Sequence, residues 1–481
     1  MKSVISVEEM RKIESLTMKS LRITDIELLS EAGKKLSEDF LLRVNPLHHH
    51  QIVAIAGVGH NGADALVMAL DLLKQTFRVK VIVVGQVEQA SFAFKYFFNH
   101  VQSMTKVIFY RQDQLIEVEK ALHGAHVLID GLFGIGLKRP VDGHYLSMIQ
   151  TINQYTKIVY AIDLPSGIHP ESGLAYPEAV KADFTGVIGS YKYGNIFNDA
   201  LDYHGKMSVI DIGLVKRVET DCLYLEDDDM SIKPGKRKHR SHKYDYGLGY
   251  YIGGSQSMSG AINLSVLAAM RSGIGIACVY QEHPETRHLE VMYKDIHDPI
   301  DYEKADVVVF GPGLQRDKAL YQSIYQSLNA SRVKTIIDGG GISYIDPLTV
   351  KNPNMVVTPH LKEFSELVNQ PIDRVRENVI PLVKEFVKSG ITLVLKGETT
   401  VIANHKHIYL YQAKNPGLAT AGSGDVLSGM ISAYMNTESP LIASVKGVML
   451  HSQAALYARV SKGETSMMAR DIIDHIYLVL K

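Results

Sequence analysis

Tryptophan is absent from the 481 residues, and cysteine occurs only twice, at Cys222 and Cys278. Two cysteines exclude a disulfide framework and fit a reducing, cytoplasmic setting. No stretch reaches the roughly 18 uninterrupted apolar residues that a membrane helix needs, and the first ten residues carry acids where a signal peptide needs an apolar run. An excess of charge is missing too: 51 Lys and Arg against 52 Asp and Glu leave a net −1, which argues against nucleic acid or an anionic membrane as partner. The composition, 46% hydrophobic and 21% charged, is that of a soluble globular protein. The chain is too long for one ordinary core, so two or three domains are expected.

The pattern breaks at 223–243. Acids at Glu226–Asp229 give way to Pro234-Gly235 and then to a basic block, Lys236–Lys243. That reads as a linker, and a basic run so short reads as a rim rather than an RNA surface. The expected division is 1–225, linker 226–241, and 242–481. In the first part, apolar runs alternate with helical spacing. The runs are 52–57, 79–84, 125–130 and 157–163; Ala65, Leu66, Ala69, Leu70 and Leu73 follow the first at helical intervals. Residues 1–45 read as helical. The same grammar restarts with 249–254 and a helix over 261–270. Strand candidates follow at 276–280, 305–310, 335–338, 355–358 and 391–395. Both halves are therefore read as α/β with a largely parallel sheet. The triplet His48-His49-His50 is read as a loop.

The stretch from Asn415 to Gly429 carries the clearest chemistry. It is a Gly-rich loop running into an amphipathic helix, with Val426, Met430 and Tyr434 on one face and Leu427 and Ile431 beside it. Free backbone N–H groups at a helix start make an anion site, and Asp425 at its mouth suits a general base for phosphoryl transfer. In the first half, Gly57-Val58-Gly59-His60-Asn61-Gly62-Ala63-Asp64 ends a strand. It is not Gly-x-Gly-x-x-Gly, so the dinucleotide fingerprint is absent; a helix is expected after Ala63. Asp130 and Asp163 end two further strands. Paired carboxylates at strand ends beside a glycine loop favour a site over loop caps. Asn61, Asp130 and Ser166 offer oxygens to a hard cation, which leaves Asp163 free for proton transfer.

Leu29–Gly33, His60–Asp64, Asp130–Pro140, Asp163–Gly167 and Asp211–Gly213 occur in the order seen in NAD(P)H-hydrate epimerases, and the first half resembles that family. The resemblance implies a Rossmann-like domain interconverting R- and S-NAD(P)HX. It also implies K+ on Asn61, Asp130 and Ser166. The substrate would be held by His60, Asn61, Gly62, Ala63, Asp64, Gly134, Ile135, Gly136, Leu137, Lys138, Arg139, Pro140, Tyr145 and Asp163. His60 and Ala63 stand where that family has Asn and Gly; Ala63 fits if its φ is negative.

In the second half, Gly253-Gly254-Ser255, Gly311–Leu314, Thr358–Glu363, Lys396–Thr400 and the 415–429 stretch keep the order of NAD(P)H-hydrate dehydratases, which that half resembles. That implies a ribokinase-like fold, with Ala261, Gly313, His360 and Asp425 on the hydrate. Lys396, Gly397, Glu398, Thr399, Thr400, Gly422, Ser423 and Gly424 would hold the nucleotide. Fusion to an epimerase domain favours ADP, with Mg2+, over ATP. The same resemblance implies NADHX, NADPHX and ADP as partners and a homo-oligomeric state. A ribokinase-like vitamin or sugar kinase needs the same base and anion hole and stays open at this point, as does a non-catalytic nucleotide-binding scaffold.

Overall fold

The protein is described by a computed structural model over residues 1–155, 157–215, 220–315 and 318–481. It divides into two units, Lys2–Thr220 and Asp221–Lys481 together with Met1. Residues 221–225 thus group with the second unit.

The sheet of the first unit runs in spatial order Val107–Phe109, Arg78–Val84, Gln51–Gly57, Val127–Gly131, Ile158–Ile162, Phe184–Ile188, Lys206–Ile210, with every pairing parallel. Helices cover both faces, so the central strands are buried throughout and read as unbroken apolar runs rather than as alternation. Chain order reverses between Gln51–Gly57 and Val127–Gly131, which makes the carboxyl ends of these two strands the place where an open α/β sheet binds ligands. Helices Val7–Leu21 and Asp25–Val44 each start on a capping box, Ser6 with Glu9 and Thr24 with Glu27. The helical expectation for 1–45 fails at its start. Lys2–Ile5 is a strand, with Val4 and Ile5 fully buried and paired in parallel with Tyr191–Lys192; β-branched residues that find a partner strand override a local helical reading.

The second unit has the layered α/β architecture expected for a ribokinase-like domain. Strands Met292–Asp295, Ile276–Gln281, Leu248–Ile252, Val307–Phe310, Lys334–Ile337, Met355–Val357 and Thr392–Leu395 lie side by side and parallel. Thr399–Ala403 and Ile408–Gln412 add an antiparallel extension, and Cys222–Tyr224 pairs in parallel with the latter. The reversal of order falls between Leu248–Ile252 and Val307–Phe310. The segment expected as a linker has no helix or strand over 226–241, yet it is anchored: Ile232 is buried in the core, and Tyr411 donates to Asp227 at 2.6 Å. Helix Ser423–Met435 lies hard against Ser259–Ser272; a Cβ on Gly429 would sit 2.0 Å from the Ser265 carbonyl oxygen, so only glycine allows this approach.

Candidate active sites

At the reversal point of the first sheet lies a cavity of about 560 Å³. Helix His60–Lys74 begins on its rim with Gly59 as N-cap and no side chain capping it, so its first N–H groups are available to an anion. The helix starts four residues before the expected point, which places Asn61, Gly62 and Ala63 in its first turn. Gly62 is compelled: a Cβ there would meet the Gly57 carbonyl oxygen at 1.6 Å. Ala63 is helical, without positive φ, and so meets the condition set for replacing a glycine.

Asp130 is fully buried at the end of its strand. Its Oδ1 accepts from Ser166 Oγ at 2.6 Å and Leu132 N at 3.3 Å, and its Oδ2 from Ser166 N at 2.8 Å. Burial raises its pKa to about 6 against the pull of these bonds, and among the described residues no cation pairs with it. Asn61 Nδ2 donates to Phe133 O at 2.8 Å, and Ser166 Oγ lies 3.3 Å from the same oxygen. A buried carboxylate without a paired cation, bonded to the Ser166 hydroxyl, which also reaches the Phe133 carbonyl to which the Asn61 amide donates, fits K+ by charge and by donor hardness.

Asp163 occupies a left-handed backbone position, φ +65°, held by Asp163 N donating to Gly186 O at 2.8 Å and Asn195 Nδ2 donating to Asp163 O at 3.0 Å. Its Oδ1 accepts from Lys192 Nζ and, at 3.1 Å, from Ile188 N. Lys192 has no exposed surface and also donates to Ile188 O at 2.7 Å. Asp64, 4% exposed on the same cavity, has an Oδ1 with no partner. Burial first, then the charge of Asp163, holds its carboxyl well above the usual carboxylate range. His60 Nε2 lies 3.4 Å from Asp25 Oδ2, whose hydrogen bond raises the histidine's pKa against burial.

The second site sits at the carboxyl ends of the other sheet. Gly253, Gly254 and Ser255 donate to the carbonyls of Tyr280, Pro312 and Gly313 at 3.0, 2.9 and 2.9 Å, and so knit two strand ends together. Gly313 takes φ +69°; a Cβ there would meet Met258 O at 2.3 Å and Ala261 Cβ at 3.1 Å. Asp338 Oδ1 accepts from Thr358 Oγ1 at 2.7 Å and Lys396 Nζ at 2.8 Å. A Cβ on Gly424 would sit 3.2 Å from that same ammonium. Burial works against the charge of Lys396, but Asp338 outweighs it and the net shift is upward. Gly422, at φ +86°, is the N-cap of helix Ser423–Met435, which no side chain caps. Asp425 stands in its first turn. Burial, helped by the charge of Asp338 and opposed by Lys396, pushes Asp425 from 3.8 to about 7. A carboxylate with that affinity for protons, at a free helix N-terminus and beside an ammonium, is equipped to take a proton from an attacking hydroxyl.

A family profile described as YjeF-related protein N-terminus matches residues 25–194, and one described as NAD(P)H-hydrate dehydratase matches 250–478. The bifunctional NAD(P)H-hydrate repair enzyme of Coxiella burnetii is 30% identical, covering 98% of this chain and 98% of its own. The chain belongs to the bifunctional NAD(P)H-hydrate repair enzymes. The repair enzyme of Moorella thermoacetica is 27% identical over 99% of this chain and 96% of its own. A solved structure of the Bacillus subtilis ADP/ATP-dependent NAD(P)H-hydrate dehydratase, co-crystallized with ATP/Mg2+, covers 51% of this chain and 93% of its own at 26% identity and TM-score 0.47.

In this member of the repair-enzyme family, His60, Asn61, Asp64, Gly134, Ile135, Gly136, Tyr145 and Asp163 stand on the first cavity's wall. Leu137 turns into the core, while Lys138, Arg139 and Pro140 are exposed and off that wall. In the second unit Lys396, Gly424 and Asp425 come together, and Ala261 meets Gly313. His360 bridges to Lys396 by its backbone, and its Nδ1 accepts from Glu363 N at 3.2 Å as the cap of its own helix. Gly397 and Glu398 form the exposed turn before strand Thr399–Ala403, which begins with Thr399 and Thr400. The sequence reading passed over Lys192, Arg11, Glu14 and Asp25 in the first site and the Asp338–Lys396 pair in the second. The usable signal was charge balance, since a carboxylate ending a buried strand calls for a nearby cation.

Proposed function

We propose that the Lys2–Thr220 unit interconverts R- and S-NAD(P)HX and that the Asp221–Lys481 unit dehydrates the S form to NAD(P)H while ADP becomes AMP and phosphate. Asp425 carries the reading: a carboxylate poised near neutral pH in the first turn of an uncapped helix, beside Lys396. Water is a poor leaving group, so phosphorylating the ring hydroxyl makes it removable. Asp425 takes the hydroxyl proton as the oxygen attacks the β-phosphorus of ADP. The N–H groups of the first turn and Lys396 stabilise the charge on the transferred group. AMP departs, and phosphate is then eliminated with the electron push of the ring nitrogen. Mg2+ accompanying the nucleotide would supply counter-charge to the phosphates. In the other unit Asn61, Asp130 and Ser166 would hold K+, which supplies the positive charge that buried Asp130 lacks, and Asp163 moves protons at the ring hydroxyl. We place the protein in the cytoplasm, as a homo-oligomer.

Incubation with S-NADHX and either ADP or ATP, followed by NADH absorbance and nucleotide chromatography, tests this. AMP and NADH appearing together from ADP support it. A stable phosphorylated product overturns it in favour of a small-molecule kinase.

A further inference from the structure

Asp163 offers its two carboxylate oxygens very differently. Oδ1 is saturated by Lys192 Nζ and Ile188 N, whereas Oδ2 accepts no hydrogen bond from the described residues. Lys192 is itself fixed at three points. Strand Lys2–Ile5 pairs with it at Ile5, its backbone N donates to Asn195 Oδ1 at 2.8 Å, and its ammonium spans Asp163 and Ile188 O. A lysine with no exposed surface keeps its charge only beside a compensating anion, and Asp163 supplies that anion through Oδ1 while Oδ2 stays free. Asp64 is the opposite case. It shares the cavity wall with Asp163 and its Oδ1 is sealed from solvent and unbonded; none of the amide or cationic donors that stabilise an anion reaches it.

We propose that Lys192 and Asp64 complete the proton machinery of the first cavity: Lys192 positions Asp163 as the carboxylate that accepts a proton at Oδ2, and Asp64 is the acid that donates one. The inference rests on the epimerase reading above. One carboxylate bonded to a buried ammonium and one carboxyl without a donor at its buried oxygen are how one site holds a base and an acid together. The steps balance. The ring nitrogen's lone pair forms the N=C bond as the C–O bond at the hydrated carbon breaks, and the departing oxygen takes the proton of Asp64 and leaves as water. Water adds to the same carbon from the other face, the N=C electrons return to nitrogen, and the added water's proton goes to Asp163 Oδ2. Proton exchange through cavity water resets the pair. Running S to R, the roles invert.

The other titratable groups facing this pair are Arg11 and Glu14 on helix Val7–Leu21, Asp25 on Asp25–Val44, His60 on the helix of Asp64, and Tyr145 on Gly143–Gln154. Glu14 is raised by burial first, with Lys192 opposing, and His60 is raised by its bond to Asp25. These flank the reaction without bonding either carboxyl.

The test uses the full chain and R-NADHX without ADP, scoring R-to-S conversion by chiral chromatography; S-NADHX repair with ADP checks the loading of each preparation. Expected are a bell-shaped pH profile for the wild type and a fall of about 10²–10⁴ in rate for Asp64→Asn. For Lys192→Met the R-to-S rate falls by a similar factor while S-NADHX repair holds, because the ammonium that fixes Asp163 Oδ1 is gone; Lys192→Arg restores the rate. In ¹⁸O-labelled water the product hydroxyl carries the label. Wild-type rate in Asp64→Asn, wild-type rate in Lys192→Met, or unlabelled product each overturns the proposal. A wild-type chain no faster than spontaneous epimerisation sinks the underlying function instead.

Discussion

Asp425→Asn should silence dehydration and stabilise the protein at once. In the fold the carboxyl titrates near 7 rather than 3.8, so between those values the native state holds a proton that the unfolded chain has released. Stability therefore falls as pH rises through that window, and above about 7 the full penalty applies. A shift of about three units at 1.36 kcal/mol each sets a ceiling near 4 kcal/mol. The side chain is only partly buried, and solvent screening brings the expectation to about 2 kcal/mol. Asparagine keeps the shape and cannot ionise. At pH 8 the second unit's calorimetric transition should rise by roughly 4–8 °C, at 2–4 °C per kcal/mol for a unit of this size. At pH 4 the gain should nearly vanish. The rate of S-NADHX dehydration should drop by about 10²–10⁴. A gain that is absent at pH 8, or equal at both pH values, would refute the view that Asp425 is a strained base, whatever happened to activity.

Asp163→Asn should leave S-NADHX repair intact while R-NADHX repair falls to the spontaneous rate; equal loss of both in a paired assay would point to misfolding. Replacing LiCl by KCl at pH 8 should raise the first unit's melting temperature, the stabilisation being about 2.7 kcal/mol at a hundredfold excess over the dissociation constant. Asp130→Asn should abolish that response, and a response that persists would exclude the Asn61–Asp130–Ser166 site. Gly62→Ala, with its Cβ 1.6 Å from the Gly57 oxygen, should cost about 3 kcal/mol or more in denaturant unfolding of the first unit; a near-neutral result would mean that the loop is not closed as described. His451, buried on helix Pro440–Lys462 and pushed by burial from 6.5 to about 4, binds its proton more readily unfolded, so stability is lost as pH falls between those values. His451→Leu should flatten that slope in urea titrations at pH 6.5 and 4.5.

The strand ends were legible because a parallel sheet buries its strands on both faces: the apolar runs at 52–57 and 127–130 stop where glycine or aspartate begins, and ligand sites lie there by topology. The glycine loops were legible for the same reason, since Gly62, Gly313 and Gly422 answer to backbone demands that no other residue meets. Lys192 was not. In one dimension a lysine beside tyrosines reads as a solvated side chain, and its burial is decided by a strand at the other end of the unit and by an aspartate 29 residues away. The Lys2–Ile5 strand was hidden similarly, because four residues acquire strand character only from their partner. The role of Asp64 as an unbonded acid is an absence of partners, which no pattern of residue types displays.

The left-handed backbone at Asp163 also constrains how this molecule can decay. Glycine, asparagine and aspartate tolerate positive φ, whereas β-branched and bulky residues are strained there. A lineage that stopped needing epimerisation would therefore not lose the carboxylate at random. A change to valine would strain the backbone, while a change to asparagine would keep the dihedral angle, remove the proton acceptor and leave buried Lys192 without its anion. Descendants retained for binding alone should carry asparagine or glycine at this position. One dihedral angle thus biases the route by which an enzyme domain becomes a scaffold.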